Sequence, residues 1–152
     1  MQRDLSALGK GFAAGAAATV AMSALMFAGR RAGLLGEMPP EKITRKLLGR
    51  AGIRRPTKEE QDALSTAVHV FFGAGAGALF GLVHGRLRPP LPALAGMAYG
   101  LLVWAFSYSG WIPALEIMSP PKRDRPGRPQ TMIAAHLVYG ATLGALLRKP
   151  RG

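Results

Sequence analysis

Four stretches of this chain contain no Asp, Glu, Lys or Arg: Gly11 to Ala28, Ala63 to Val83, Leu91 to Leu115 and Thr131 to Leu147. A bilayer core takes about 20 predominantly apolar residues of helix, with a range of about 17–25, and all four fall near that length. Backbone N–H and C=O groups in hydrocarbon must pair within their own segment, which selects helix over open strand. The expectation is an all-α polytopic membrane protein, a four-transmembrane-helix bundle forming one domain over residues 1–152, with spans at about 11–28, 63–83, 91–115 and 131–147. Arg3 and Lys10 ahead of the first stretch are the flanks of a signal peptide. Its apolar run exceeds the usual 7–15 or so residues, however, and Arg30 and Arg31 follow at once, so it reads as a retained span.

Charge then sets orientation. The chain has 20 Lys and Arg against 8 Asp and Glu, a net charge of +12. In a soluble protein that excess would point to nucleic acid, but no groove-reading motif is present and the basic residues flank apolar runs. No nucleic-acid partner is expected. Nine basic residues lie between the first two spans (Arg30, Arg31, Lys42, Arg45, Lys46, Arg50, Arg54, Arg55, Lys58) and four between the last two (Lys122, Arg123, Arg125, Arg128). On the other side stand Arg3, Lys10, Arg86, Arg88, Arg148, Lys149 and Arg151. By the positive-inside rule, loops 29–62 and 116–130 face the cytoplasm, and the partners are the bilayer and its anionic head groups. Cysteine is absent, which removes disulfides, thiolate metal sites and cysteine nucleophiles.

An internal repeat organises the spans. Ala67 to Leu79 reads AVHVFFGAGAGAL and Ala134 to Leu146 reads AAHLVYGATLGAL. Each is preceded by an acidic–proline segment, Glu37-Met38-Pro39-Pro40 or Glu116 to Pro121, and then by basic residues. Spans one and three carry Gly11/Gly15 and Gly96/Gly100, and spans two and four carry Gly73/Gly77 and Gly140/Gly144. The unit is a helical hairpin, and two tandem copies keep one orientation because each has an even number of spans. Glycines four apart allow close van der Waals packing in lipid. The simplest arrangement has helices two and four crossing near the axis.

The connections carry further expectations. Pro40 suits a helix start, and Ile43, Leu47 and Leu48 oppose Lys42, Arg45, Lys46 and Arg50, which suits either a short helix on the membrane surface or a solvated loop helix. Thr57-Lys58-Glu59-Glu60 reads as a capping box, so the second helix starts near Lys58. Pro90 or Pro92 opens the third helix, and Ser109 to Pro113 loosens or ends it, with Tyr108 and Trp111 as interface anchors. Ser119 to Pro129 has too much proline and charge for regular structure.

His69 and His136 are the candidate polar site, because an ionisable group inside a span is costly to place there. They could ligate a metal or haem as a pair with Glu37 and Glu116 nearby, relay protons, or hydrogen-bond a neighbouring helix. Two histidines alone are short of the three or four ligands of the usual zinc site. His84 sits beside Gly85 and Arg86 at a helix end, where an interfacial role fits better. No nucleophile elbow, phosphate loop or mid-span carboxylate is present, so neither an enzyme nor a cofactor is expected.

The runs Gly15-Ala16-Ala17-Ala18-Thr19-Val20-Ala21-Met22-Ser23, Pro39-Pro40-Glu41-Lys42-Ile43 and His136-Leu137-Val138-Tyr139-Gly140 resemble small uncharacterised bacterial inner-membrane proteins, loosely YagU-like. The resemblance implies an inner-membrane location and supplies no activity and no functional residue. Two functions remain open at this point. One is a non-enzymatic structural, interaction or accessory subunit, as a homo-oligomer or with a membrane-protein partner. The other is a small oligomeric channel or transporter with its polar site near His69 and His136.

Overall fold

The computed structural model describes residues 1–53, 56–87 and 89–148. Arg54, Arg55, Arg88, Lys149 and Arg151, all weighed in the charge argument, lie outside them. The chain is all-α, with no strand among the described residues. Its elements are α1 (Gln2–Arg31), α2 (Pro39–Arg50), α3 (Lys58–Leu87), α4 (Pro92–Phe106), α5 (Ile112–Ala114) and α6 (Arg128–Leu146). A π-helical turn, Ser107–Trp111, joins α4 to α5, and a 3-10 turn spans Pro121–Arg123. Two helices, α1 and α3, are long and apolar enough to cross a membrane.

Local chemistry accounts for the helix boundaries. At the start of α3 the Thr57 amide donates to Glu60 Oε2 at 2.8 Å, and the Glu60 amide donates to Thr57 Oγ1 at 3.3 Å. That is a reciprocal capping box, and it serves donors that have no partner within the helix. Prolines stand in the first turn of α2, α4 and α6, where a missing N–H costs nothing. The third apolar stretch is not one helix from 91 to 115: Gly110 adopts φ −102°, ψ −106° inside the π-helical turn and divides it. The fourth helix begins at Arg128, earlier than its apolar run, because Gly127 takes a left-handed φ of 86° that turns the chain into it.

Packing is pairwise. α1 lies antiparallel on α3, and α4 lies antiparallel on α6; α1 also packs on α6, whereas α3 and α4 touch little. The glycines make the close approach possible. A methyl group on Gly15 would sit 2.5 Å from the Gly73 carbonyl oxygen and 2.8 Å from Gly77 Cα, and one on Gly77 would sit 2.5 Å from the Gly11 carbonyl oxygen. Gly81 continues this seam against Ala7 and Gly11. In the second pair, Gly96 and Gly100 meet the backbone of Gly140 and His136, and Gly144 meets Pro92. The glycine faces therefore close each hairpin on itself; they do not bring helices two and four (α3 and α6) across one another. A Gly-x-x-x-Gly spacing defines a groove but leaves its partner open.

The two seams share one register. Gly15 abuts Gly73 and Gly77 abuts Gly11; the equivalents of Gly73 and Gly77 in the second hairpin, Gly140 and Gly144, abut Gly96 and Pro92. His136, whose backbone meets Gly100, is buried, and His69 is half-buried.

Two connections differ from expectation. α2 turns Ile43 inward and packs on α3, with Pro39 and Thr44 buried, so its apolar side is partly covered by protein while Leu47 remains exposed. The 119–129 segment is ordered by charge: the Arg128 guanidinium donates to Asp124 Oδ1 at 2.9 Å and to the Leu35 carbonyl, and Tyr108 donates its hydroxyl to the same Asp124 carboxylate. Tyr108 is therefore buried and is not an exposed anchor.

Candidate functional site

α3 presents Ser65, His69 and Gly73 on one face, at intervals of four residues. α6 presents Met132, His136 and Tyr139 on another, and the two faces look into one cavity of about 140 Å³. α1 contributes Thr19, Met22 and Met26; α2 covers one end with Ile43, Thr44 and Leu47; the π-helical turn contributes Ser107, Tyr108 and Trp111. The structure thus brings His69 and His136, one from each repeat, to a common site. No Asp, Glu, Lys or Arg lines it.

Its hydrogen-bonding state is uneven. His136 Nδ1 lies 2.8 Å from the Met132 carbonyl oxygen, which can only accept, so the proton sits on Nδ1. The neutral ring then presents a lone pair at Nε2. Tyr139 donates its hydroxyl to the Gly73 carbonyl at 2.7 Å, where glycine leaves the backbone of α3 accessible. Three buried polar atoms lining the cavity have no hydrogen-bond partner: His69 Nε2, Ser65 Oγ and Thr44 Oγ1.

This state sets the two hydroxyls apart from the other buried Ser and Thr side chains among the described residues, Thr19, Ser107 and Thr131. A helical Ser or Thr ordinarily bonds back to the carbonyl four residues earlier. Thr19 does so to Gly15 at 2.8 Å, Thr66 to Asp62 at 2.8 Å, Ser107 to Val103 at 2.7 Å and Thr131 to Gly127 at 2.8 Å. Ser65 and Thr44, 2% and 4% exposed, forgo it. Their hydroxyls face the cavity unsatisfied, a state that costs free energy until something pairs with them. Thr44 did not stand out in the sequence, and Ser65 stands there as one of several span hydroxyls able to bond within or between helices. The only available hint was the i, i+4 spacing of Ser65 and His69.

Glu37 and Glu116 are elsewhere. Glu37 accepts from Arg45 at 2.8 Å and 2.9 Å on the surface, and Glu116 is an exposed turn residue with φ 53°. Among the described residues no group of three or more His, Cys, Asp or Glu is arranged to hold a metal ion. The polar side chains at the cavity are two imidazoles and hydroxyls, without a carboxylate. The space is also that of a single ring, since about 150 Å³ accommodates benzene, and a haem is far larger. His84 packs its ring against Phe80, 5.5 Å between centroids, away from this cavity.

A family model described as a family of unknown function, DUF6789, matches residues 5–151. Neither a curated protein nor a solved structure matches the chain.

Proposed function

We propose a role for this chain, which belongs to DUF6789, a family of unknown function: it is a four-span integral membrane protein, non-enzymatic, that works by binding and interaction. The observation that carries this reading is the distribution of charge and exposed apolar surface together. Arg3, Asp4, Lys10 and Arg86 collect at one end, where Arg86 pairs with Asp4 at 3.3 Å. Arg30, Arg31, Glu59, Glu60, Arg125 and Arg128 collect at the other, where Arg125 reaches the Gly33 carbonyl at 2.9 Å. Between the ends lie exposed Val20, Phe71, Leu79, Leu102 and Phe106, with no charge among them. Such a belt is a poor surface in water and a good one in lipid. The uncharged part of α1, residues 11–29, is about 28 Å long at 1.5 Å per residue, close to the roughly 30 Å of a bilayer core.

On this reading α4 and α6 are the remaining two spans, with the π-helical turn at Gly110 tolerated because packed protein surrounds it. The YagU-like runs and the excess of basic residues in loops 29–62 and 116–130 favour a bacterial inner membrane with those loops cytoplasmic. Anionic head groups are then the natural partners of the basic ends. A second copy or another membrane protein would pack on the apolar belt.

The test is fractionation of lysed cells followed by alkaline carbonate extraction. Retention in the pellet is expected; a stable, detergent-free monomer in the supernatant would overturn the reading. A transport role has one observation in its favour, the His69–His136 cavity between the two hairpins. Solute flux in liposomes, abolished by His136→Phe, would establish that alternative.

A further inference from the structure

The cavity combines an apolar, ring-lined wall with polar atoms that nothing in the protein satisfies. Ser65 Oγ, Thr44 Oγ1 and His69 Nε2 are buried without partners, and all three lie at the one cavity between α2, α3 and α6. Natural proteins rarely leave such atoms unpaired, and an unpaired one in a cavity implies a partner that is not protein. We propose that this cavity binds the ring of a neutral hydroxylated aromatic molecule, a phenol or the quinol head of a lipid, with its hydroxyl held among Ser65, Thr44 and the two histidines. The inference deepens the membrane reading above and rests on it for the route of entry, since the rim residues Leu47, Val68 and Phe72 are exposed on the surface assigned to lipid.

Each feature of the ligand follows from one of the site. Neutrality follows from the absence of any charged lining residue, because an ion there would be buried without a counter-charge. The size of the cavity, about 140 Å³, fits one six-membered ring. A flat aromatic ring suits walls of Phe72, Trp111, Tyr139, Met22 and Met132, which offer ring faces and polarizable sulfur. The hydroxyl follows from the His136 tautomer. With Nδ1–H given to Met132, Nε2 of His136 can only accept, whereas the Ser65 and Thr44 hydroxyls can supply hydrogen to an oxygen. A ligand hydroxyl both donates and accepts at one atom, which a ketone or ether oxygen cannot do.

The chain has two tryptophans, and only Trp111 lines the cavity, so a Trp104→Phe protein reports on the site through Trp111 fluorescence. The full-length variant in lipid nanodiscs is titrated with phenol, with anisole (the same ring and oxygen without the O–H), with benzene, and with a decyl-substituted hydroquinone. Phenol is expected to quench saturably and to bind about tenfold more tightly than anisole or benzene, the effect of one buried hydrogen bond. Ser65→Ala and Thr44→Val should each weaken phenol several-fold, leave benzene unchanged, and leave thermal stability equal or higher, because each removes an unsatisfied group. The stability readout separates ligand binding from a structural role. Tighter binding of the decyl hydroquinone than of phenol assigns the site to a lipid-borne quinol, and equal binding assigns it to a free phenol; either supports the proposal. Equal affinity for phenol, anisole and benzene would overturn it, as would absence of saturable quenching. Carbonate extraction of the cell membranes from which the protein is purified shows separately whether the membrane reading stands.

Discussion

Arg128 donates from Nε to the carbonyl oxygen of Leu35 at 2.9 Å, across 93 positions of sequence. The same guanidinium holds Asp124, and both side chains are nearly enclosed, at 8% and 5% exposure. One cation thereby fastens the α1–α2 connection to the segment that leads into α6. It also ties both to Tyr108 in the π-helical turn after α4 through the shared carboxylate. Each guanidinium nitrogen and each carboxylate oxygen of this pair has a partner, the condition under which a buried ion pair holds a structure together rather than weakening it.

Removing one partner of such a pair leaves the other charge buried and alone. Arg128→Met should therefore destabilise the folded protein by about 3–5 kcal/mol. Adding Asp124→Asn should recover part of that loss, because the amide is neutral and still accepts from Tyr108. Unfolding in mixed detergent, followed by circular dichroism for the two variants, measures both. An Arg128→Met protein as stable as the parent would show that the cluster contributes nothing.

The glycines separate into those that meet backbone and those that meet nothing. Gly77 abuts Gly11 and Gly15, whereas Gly75, on the opposite face of the same helix, has open space where a side chain would be. Gly75→Ala should stabilise by about 0.8–1 kcal/mol through helix propensity alone. Gly77→Ala should destabilise, because the added carbon has only backbone to displace. The opposite signs, read as shifts in thermal midpoint, test the seam independently of composition.

How much of this was legible in the sequence varies with the distance over which each feature is determined. The start of α3 was readable because Thr57 and Glu60 satisfy each other within four residues. The opening of α4 at Pro92 and the break near Gly110 were readable for the same local reason. The pairing of the seams was not: Gly73 and Gly140 look alike, and only the register of whole helices sets one against Gly15 and the other against Gly96. Arg128 looked like one more solvated charge in a proline-rich loop, since its partner Leu35 belongs to another loop. Joining His69 with His136 was foreseen from the repeat. The two carboxylates expected beside them were not there, because Glu37 is committed to Arg45 and the left-handed turn at Glu116 leads its side chain to the surface.

The absence of cysteine makes topology directly measurable, because any introduced thiol is the only one in the sequence. Gln61→Cys and Lys122→Cys stand at one end and Arg86→Cys at the other. In intact cells an impermeant maleimide should label Arg86→Cys and spare the other two, which should react only after lysis. Labelling of Gln61→Cys in intact cells would reverse the orientation. Labelling of Gln61→Cys and Lys122→Cys from opposite sides would rule out the even-span hairpins.

Tyr99 and Tyr139 each hydrogen-bond the backbone of α3: Tyr99 donates to the Ala76 carbonyl and Tyr139 to the Gly73 carbonyl, each at 2.7 Å. Both hydroxyls come from the second hairpin, and both acceptors lie where small residues leave the α3 backbone uncovered. A carbonyl already engaged within its helix still has a second lone pair, so the tyrosines add bonds without breaking any. Interhelical bonds of this kind in lipid average about 0.6 kcal/mol and reach about 1.7. Tyr139→Phe and Tyr99→Phe should each cost an amount in that range. Tyr139 is the more buried of the two and should stand at its upper end. The ring remains in each variant, so packing is preserved and the loss isolates the hydroxyl. If the double variant loses about the sum of the singles, the bonds act independently; a smaller loss would mean that the hairpins shift together once either bond is gone.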